Sequence, residues 1–109
     1  MNGQELEIIQ SQLRKSMEDS NMRAYEQENI YHEKIRDYEV ALAKKIMLLR
    51  EDGLQASIVE KVARGDEDIA QIKFEAGLAE ASARASKENI NIKKKVFESI
   101  ENTKRRELG

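Results

Sequence analysis

The sequence predicts an all-α protein: an antiparallel coiled-coil hairpin of two long helices with a short helical connector, two copies dimerising into a four-helix bundle. Three observations carry this. Positions 69, 72, 76, 79, 83, 86, 90, 93, 97, 100 and 104 read Ile, Ile, Ala, Ala, Ala, Ser, Ile, Lys, Phe, Ile and Lys. Their spacing alternates three and four without a break, which is a heptad seam, a surface made to be covered by another helix. The 109 residues include no proline, 5% aromatics and 37% charged side chains, the composition of long helices. Finally, the first half of the chain carries bulky residues at helical spacing that can cover the seam where it is small.

The first helix is expected from about Gln4 to Glu51. Tyr31, Ile35, Tyr38, Leu42, Ile46 and Leu49 form its stripe, and Leu6, Ile9, Leu13, Met17, Ser20 and Ala24 continue it upstream. The nearly all-polar stretch from Asp19 to Asn29 is its weakest part, where a bend or fraying is expected. Gly53 follows Glu51-Asp52 and suits the left-handed residue that ends a helix. A connector follows over about residues 54–65. Ser57 and Glu60 have the spacing of a capping box, so a short helix is expected there, closed by Gly65 as a second terminating glycine. Asp66 then caps the last helix, about residues 66–107, with Glu67 and Asp68 in its first turn, where the helix dipole favours negative charge. The whole, residues 1–109, reads as a single helical-hairpin domain.

Folding the chain about the connector sets residue i near residue 118 − i. Leu49 then meets Ile69, Ser20 meets Phe97 and Met17 meets Ile100, while Tyr31, Ile35 and Tyr38 face Ala76, Ala79, Ala83 and Ser86. Large meets small at each level, as dense packing requires. A second apolar stripe, Phe74, Leu78, Ala81, Ala85 and Ile92, lies away from the seam on the same helix. A helix that is apolar on two sides is covered twice. These five residues are the expected interface, with a second copy of the chain as first occupant and another protein as second.

Chemistry leaves little trace. There is no cysteine, hence no disulfide and no thiolate metal site. The one histidine, His32, is preceded three residues earlier by Asn29, so the Glu-x-x-His ligand pair of di-iron bundles is missing. Arg64-Gly65-Asp66 spells an integrin-type tripeptide, but a helix stop and a helix cap already account for it. Phosphate-binding, hydrolase and metalloprotease signatures do not occur, so the expectation is a protein that is not an enzyme and takes no cofactor. The start of the sequence has neither a basic nor an apolar region, and no apolar run nears the ~20 residues of a membrane span. A cytoplasmic location without membrane contact is therefore expected.

Charge is uneven along the chain. Residues 1–86 hold 12 cations and 17 carboxylates, a balance of −5; residues 87–109 hold 7 and 4, a balance of +3. Lys93, Lys94, Lys95, Lys104, Arg105 and Arg106 make up most of that basic segment. Cations near a helix C-terminus complement its dipole. The same six could contact phosphates, so the alternative function is a nucleic-acid-binding accessory factor in recombination or replication.

The run Ile58-Val59-Glu60-Lys61-Val62-Ala63-Arg64-Gly65-Asp66-Glu67-Asp68-Ile69-Ala70, continuing through Gln71-Ile72-Lys73-Phe74-Glu75-Ala76, resembles a segment of small coiled-coil proteins encoded by phages and prophages of Gram-positive bacteria. These too have a helix, an Ala-Arg-Gly-Asp-type turn and an Ala-rich second long helix, and the resemblance covers about residues 40–100. It implies a bacterial or phage origin and a cytoplasmic site of action, and it transfers no functional residue. The small secreted helical hairpins with a Trp-x-Gly turn are of similar size, but the turn here reads Glu51-Asp52-Gly53 and tryptophan is absent. The function expected is thus non-enzymatic: helical interaction or assembly, with self-association through the outer stripe.

Overall fold

A computed structural model describes residues 2–108. Among them are three helices and no strand: α1 (Gly3–Glu51), α2 (Ala56–Gly65) and α3 (Glu67–Leu108). The polar stretch from Asp19 to Asn29 does not interrupt α1, since one helix runs through it. Ser20 and Ala24, the two small residues of that stretch's stripe, are buried there.

The two connections are made as local chemistry dictates, with two corrections. Among the described residues Gly53 is the one with a left-handed backbone, at φ 94°. Its N–H bonds the Arg50 carbonyl, and the Leu54 N–H reaches back to the Leu49 carbonyl. This is the paired-bond C-terminal motif in which glycine avoids the penalty on a Cβ. Arg50 then donates to the Leu54 carbonyl at 2.8 Å. The expected capping box is not formed: α2 starts at Ala56, its cap residue Gln55 makes no side-chain cap bond, and Ser57 already lies inside the helix. Gly65 likewise does not end α2 by a left-handed turn. The stop comes from Asp66, whose backbone is extended (φ −62°, ψ 134°) and whose N–H bonds the Ala63 carbonyl. Asp66 does cap α3, its Oδ1 accepting from the N–H groups of Asp68 (3.0 Å) and Ile69 (3.2 Å).

Contacts divide the described residues into two units, one within Met1–Glu26 and Ala83–Gly109, the other Gln27–Ser82. In the first, Lys104 pairs with Glu7, Gln10 donates to Glu101, Arg14 stacks on Phe97 and Lys93 donates to Ser20. The partner number falls as the α1 number rises, so the two segments are antiparallel. In the second, Lys34 pairs with Glu75 and Lys45 with Asp66, again antiparallel.

These pairs correct the expected register. In Glu7–Lys104, Gln10–Glu101, Arg14–Phe97 and Lys45–Asp66 the partner of residue i is 111 − i, seven below 118 − i. Ser20 meets Lys93 in place of Phe97, and Phe97 meets Arg14. The cause lies in the connector. It is not a symmetric loop: α2 buries Val59 and Ala63, and Arg64 donates to the Tyr38 hydroxyl at 3.0 Å. The last turn of α2 thus reaches back to Tyr38 of α1, and α3 starts abreast of Lys45.

All eleven heptad positions of α3 are buried or half-buried. The α1 stripe holds except at Ile9, which is 36% exposed, while its neighbour Gln10 is 4% exposed. The buried apolar residues are mostly alanines, with Leu6, Val59, Ile69 and Ile90, and no large side chain among the described residues is completely enclosed. A seam this thin leaves each helix with one face free.

Candidate functional site

Each expected interface residue of α3 stands two positions after a seam residue: Phe74 after Ile72, Leu78 after Ala76, Ala81 after Ala79, Ala85 after Ala83 and Ile92 after Ile90. Two residues turn an α-helix by ~200°, so this stripe lies opposite the seam. All five are exposed, Phe74 to 60%, Leu78 to 54% and Ile92 to 53%. Val96, 46% exposed, extends the stripe. Sequence reading passed over it, although it stands one turn beyond Ile92 and carries the same signal.

At the N-terminal end of the stripe, Phe74, Gly77 and Leu78 line a shallow, solvent-open concavity of about 500 Å³ with Ala70, Lys73 and Arg64. A Cβ on Gly77 would meet no atom within 4 Å, so the chain's own packing does not require glycine there. Two further apolar pairs lie outside this stripe. Ile58 and Val62, one turn apart on α2, are exposed beside the buried Val59 and Ala63. Met47 and Leu48 are exposed on α1 and line a second shallow depression with Lys44 and Glu51.

The basic segment splits in two. Lys93 is turned into the seam, donating to the Ser20 hydroxyl at 2.6 Å and to the Ser16 carbonyl at 3.5 Å. Lys104 is also turned in, donating to Gln10 Oε1 at 2.9 Å, with Glu7 at 3.8 Å. Gln10 in turn donates to Glu101 at 2.6 Å, so its buried amide is satisfied on both sides. Lys94, Lys95, Arg105 and Arg106 are exposed, the last two in the final turn of α3.

His32 is exposed, with Glu28 at 3.8 Å on the preceding turn. Among the described residues no group of three or more metal-ligating side chains is assembled, and no helix is long and apolar enough to cross a membrane. Arg64 of the Arg-Gly-Asp run is held by Glu60 (2.8 Å) and Tyr38, which raise its already high pKa. Asp66 is held by the Ile69 N–H and by Lys45 at 3.1 Å, which keep its carboxyl below the ordinary aspartate range. Both ends of that tripeptide are therefore employed within the fold. Compared with protein-family models, curated proteins and solved structures, the chain matches none.

Proposed function

We propose that this protein is a non-enzymatic helical assembly protein whose antiparallel hairpin associates with a second copy through the outer stripe of α3, giving a four-helix bundle. It works in the cytoplasm of a bacterium and is phage- or prophage-encoded, the origin that the resemblance of residues 40–100 implies. One observation carries the assembly reading: α3 is apolar on two opposite faces, and only one is covered. Phe74, Leu78, Ile92 and Val96 stay between 46% and 60% exposed, although Ile72, Ala76, Ala79, Ala83 and Ile90 already bury the other side. A surface helix needs one apolar stripe; a second one in line is an interaction surface. The thin seam points the same way, since two long helices with an alanine-rich contact gain most of their further stability by burying the outer stripe as well. Sedimentation equilibrium of the unaltered chain tests this. A dimer in the micromolar range is expected, and a clean monomer at several hundred micromolar would end the self-assembly reading.

A further inference from the structure

We propose that the two copies pair antiparallel, α3 against α3, about a two-fold axis passing beside Ala85. This rests on the assembly reading above and adds its geometry. The outer stripe, taken with the exposed Asn89, runs Phe74, Leu78, Ala81, Ala85, Asn89, Ile92 and Val96. Its spacings are four, three, four, four, three, four, the same read in either direction. Residue sizes follow the same mirror: two large, three small, two large. In a two-fold interface residue i meets residue j and j meets i. Reflection about position 85 sets Phe74 against Val96, Leu78 against Ile92 and Ala81 against Asn89, with Ala85 meeting its own copy. The small residues fall at the crossing, where helix backbones approach closest, and the large ones close both ends.

Charge agrees with this orientation. Residues 67–82 of α3 hold one cation, Lys73, and four carboxylates, a balance of −3; residues 83–108 hold eight cations and four carboxylates, a balance of +4. Antiparallel pairing lays the acidic half of one α3 on the basic half of the other, whereas parallel pairing lays like on like. The stripe advances 11 residues in each half, from 74 to 85 and from 85 to 96. An 11-residue period keeps a stripe on one side of a nearly straight helix, where a heptad would drift.

The absence of native cysteine makes the test clean, because each introduced thiol is unique. Ala85→Cys, on the exposed face, is expected to form a covalent dimer rapidly under mild oxidation with copper–phenanthroline. Phe74→Cys alone is not, because its two copies would lie about 33 Å apart, 22 residues at ~1.5 Å each. Phe74→Cys mixed with Val96→Cys should cross-link again. At least about a ten-fold excess of covalent dimer for Ala85→Cys over Phe74→Cys is expected at equal concentration. Rapid cross-linking of Phe74→Cys to itself, in a chain that sediments as a dimer, would overturn the antiparallel orientation and leave self-association standing. A dimer in which neither residue 74 nor 85 cross-links would overturn the stripe as the contact. A monomeric unaltered chain would overturn the assembly reading and this one with it. On the unaltered chain, association should weaken between 50 mM and 500 mM salt, while strengthening with salt is what repulsion between like halves would produce.

Discussion

The ammonium of Lys93 donates a 2.6 Å hydrogen bond to the hydroxyl of Ser20 inside the seam between α1 and α3. Ser20 is 2% exposed, so its hydroxyl depends on protein partners, the other being Arg23 at 3.4 Å. Together with Gln10, Glu101 and Lys104 it gives the first unit two polar levels in an otherwise apolar seam. A polar residue at a seam position fixes register at some cost in stability.

Lys93→Ala is therefore expected to lower stability by ~1–3 kcal/mol, since it leaves a buried hydroxyl poorly partnered. Lys93→Leu with Ser20→Ala should be neutral or stabilising, and should loosen the register. Thermal melts check the first part. Cysteines at 14 and 97, against cysteines at 17 and 100, check the second. Only the first pair should cross-link in the otherwise unaltered chain, and both in the Leu/Ala background.

The seam itself was legible in the sequence, because burial follows the heptad at all eleven positions of α3. The register was not. A slip of seven residues returns every seam residue to the partner helix, so apolar spacing alone cannot separate 111 − i from 118 − i. What separates them is polar: Lys93 to Ser20, Gln10 to Glu101, Lys45 to Asp66. The burial of Gln10 in place of Ile9 was illegible for the same reason, since its amide is satisfied only by side chains far along the chain. At the connector, residue types misled. Ser57 and Glu60 have box spacing but sit within α2, and Gly65 looks like a terminator but has no positive φ. The outer stripe was legible up to Ile92, and what it meets cannot be read from one chain.

The two connector glycines should respond oppositely to alanine. At Gly65 a Cβ meets nothing within 4 Å and the backbone is not left-handed, so Gly65→Ala should stabilise by ~0.4–1 kcal/mol through the unfolded chain. At Gly53 the φ of 94° is strained for any Cβ, and Gly53→Ala should cost ~1–2 kcal/mol. Melting temperatures of the two variants should therefore fall on opposite sides of the parent.

Asp66 couples the connector to pH. The Ile69 N–H, then Lys45, stabilise its ionised form, so its folded pKa lies below the ordinary aspartate value of about 3.9. A depressed carboxylate contributes stability above its unfolded pKa and loses it as pH falls through the folded one. Asp66→Asn keeps a capping oxygen but not the charge. The gap in melting temperature between the parent and Asp66→Asn should be open at pH 7 and should close as pH falls below about 4. A gap that is unchanged at low pH would show that the charge plays no part.

For nucleic acid the expectation is weak or no binding, because Lys93 and Lys104 are committed to Ser20 and Gln10 and the chain carries −2 overall. A gel-shift titration with single- and double-stranded 30-mers at 50 mM salt should show no complex below about 10 μM. A tight complex whose affinity drops steeply with salt, by ~0.7–0.9 log units per log unit of salt for each phosphate contact, would restore the accessory-factor reading.

The central claim is that α3 presents two working faces, one closed within the chain and one closed by a second copy. Phe74 and Leu78 lie one turn apart on the outer face, clear of the seam residues Ile69, Ile72, Ala76 and Ala79. Light scattering beside circular dichroism on the chain carrying both Phe74→Glu and Leu78→Glu tests this most directly. The mass should fall to that of one 12.5 kDa chain while the helical spectrum persists, and the melting temperature should fall and lose its dependence on concentration. A double variant with the same mass as the parent would contradict the claim and remove the outer stripe as the assembly surface.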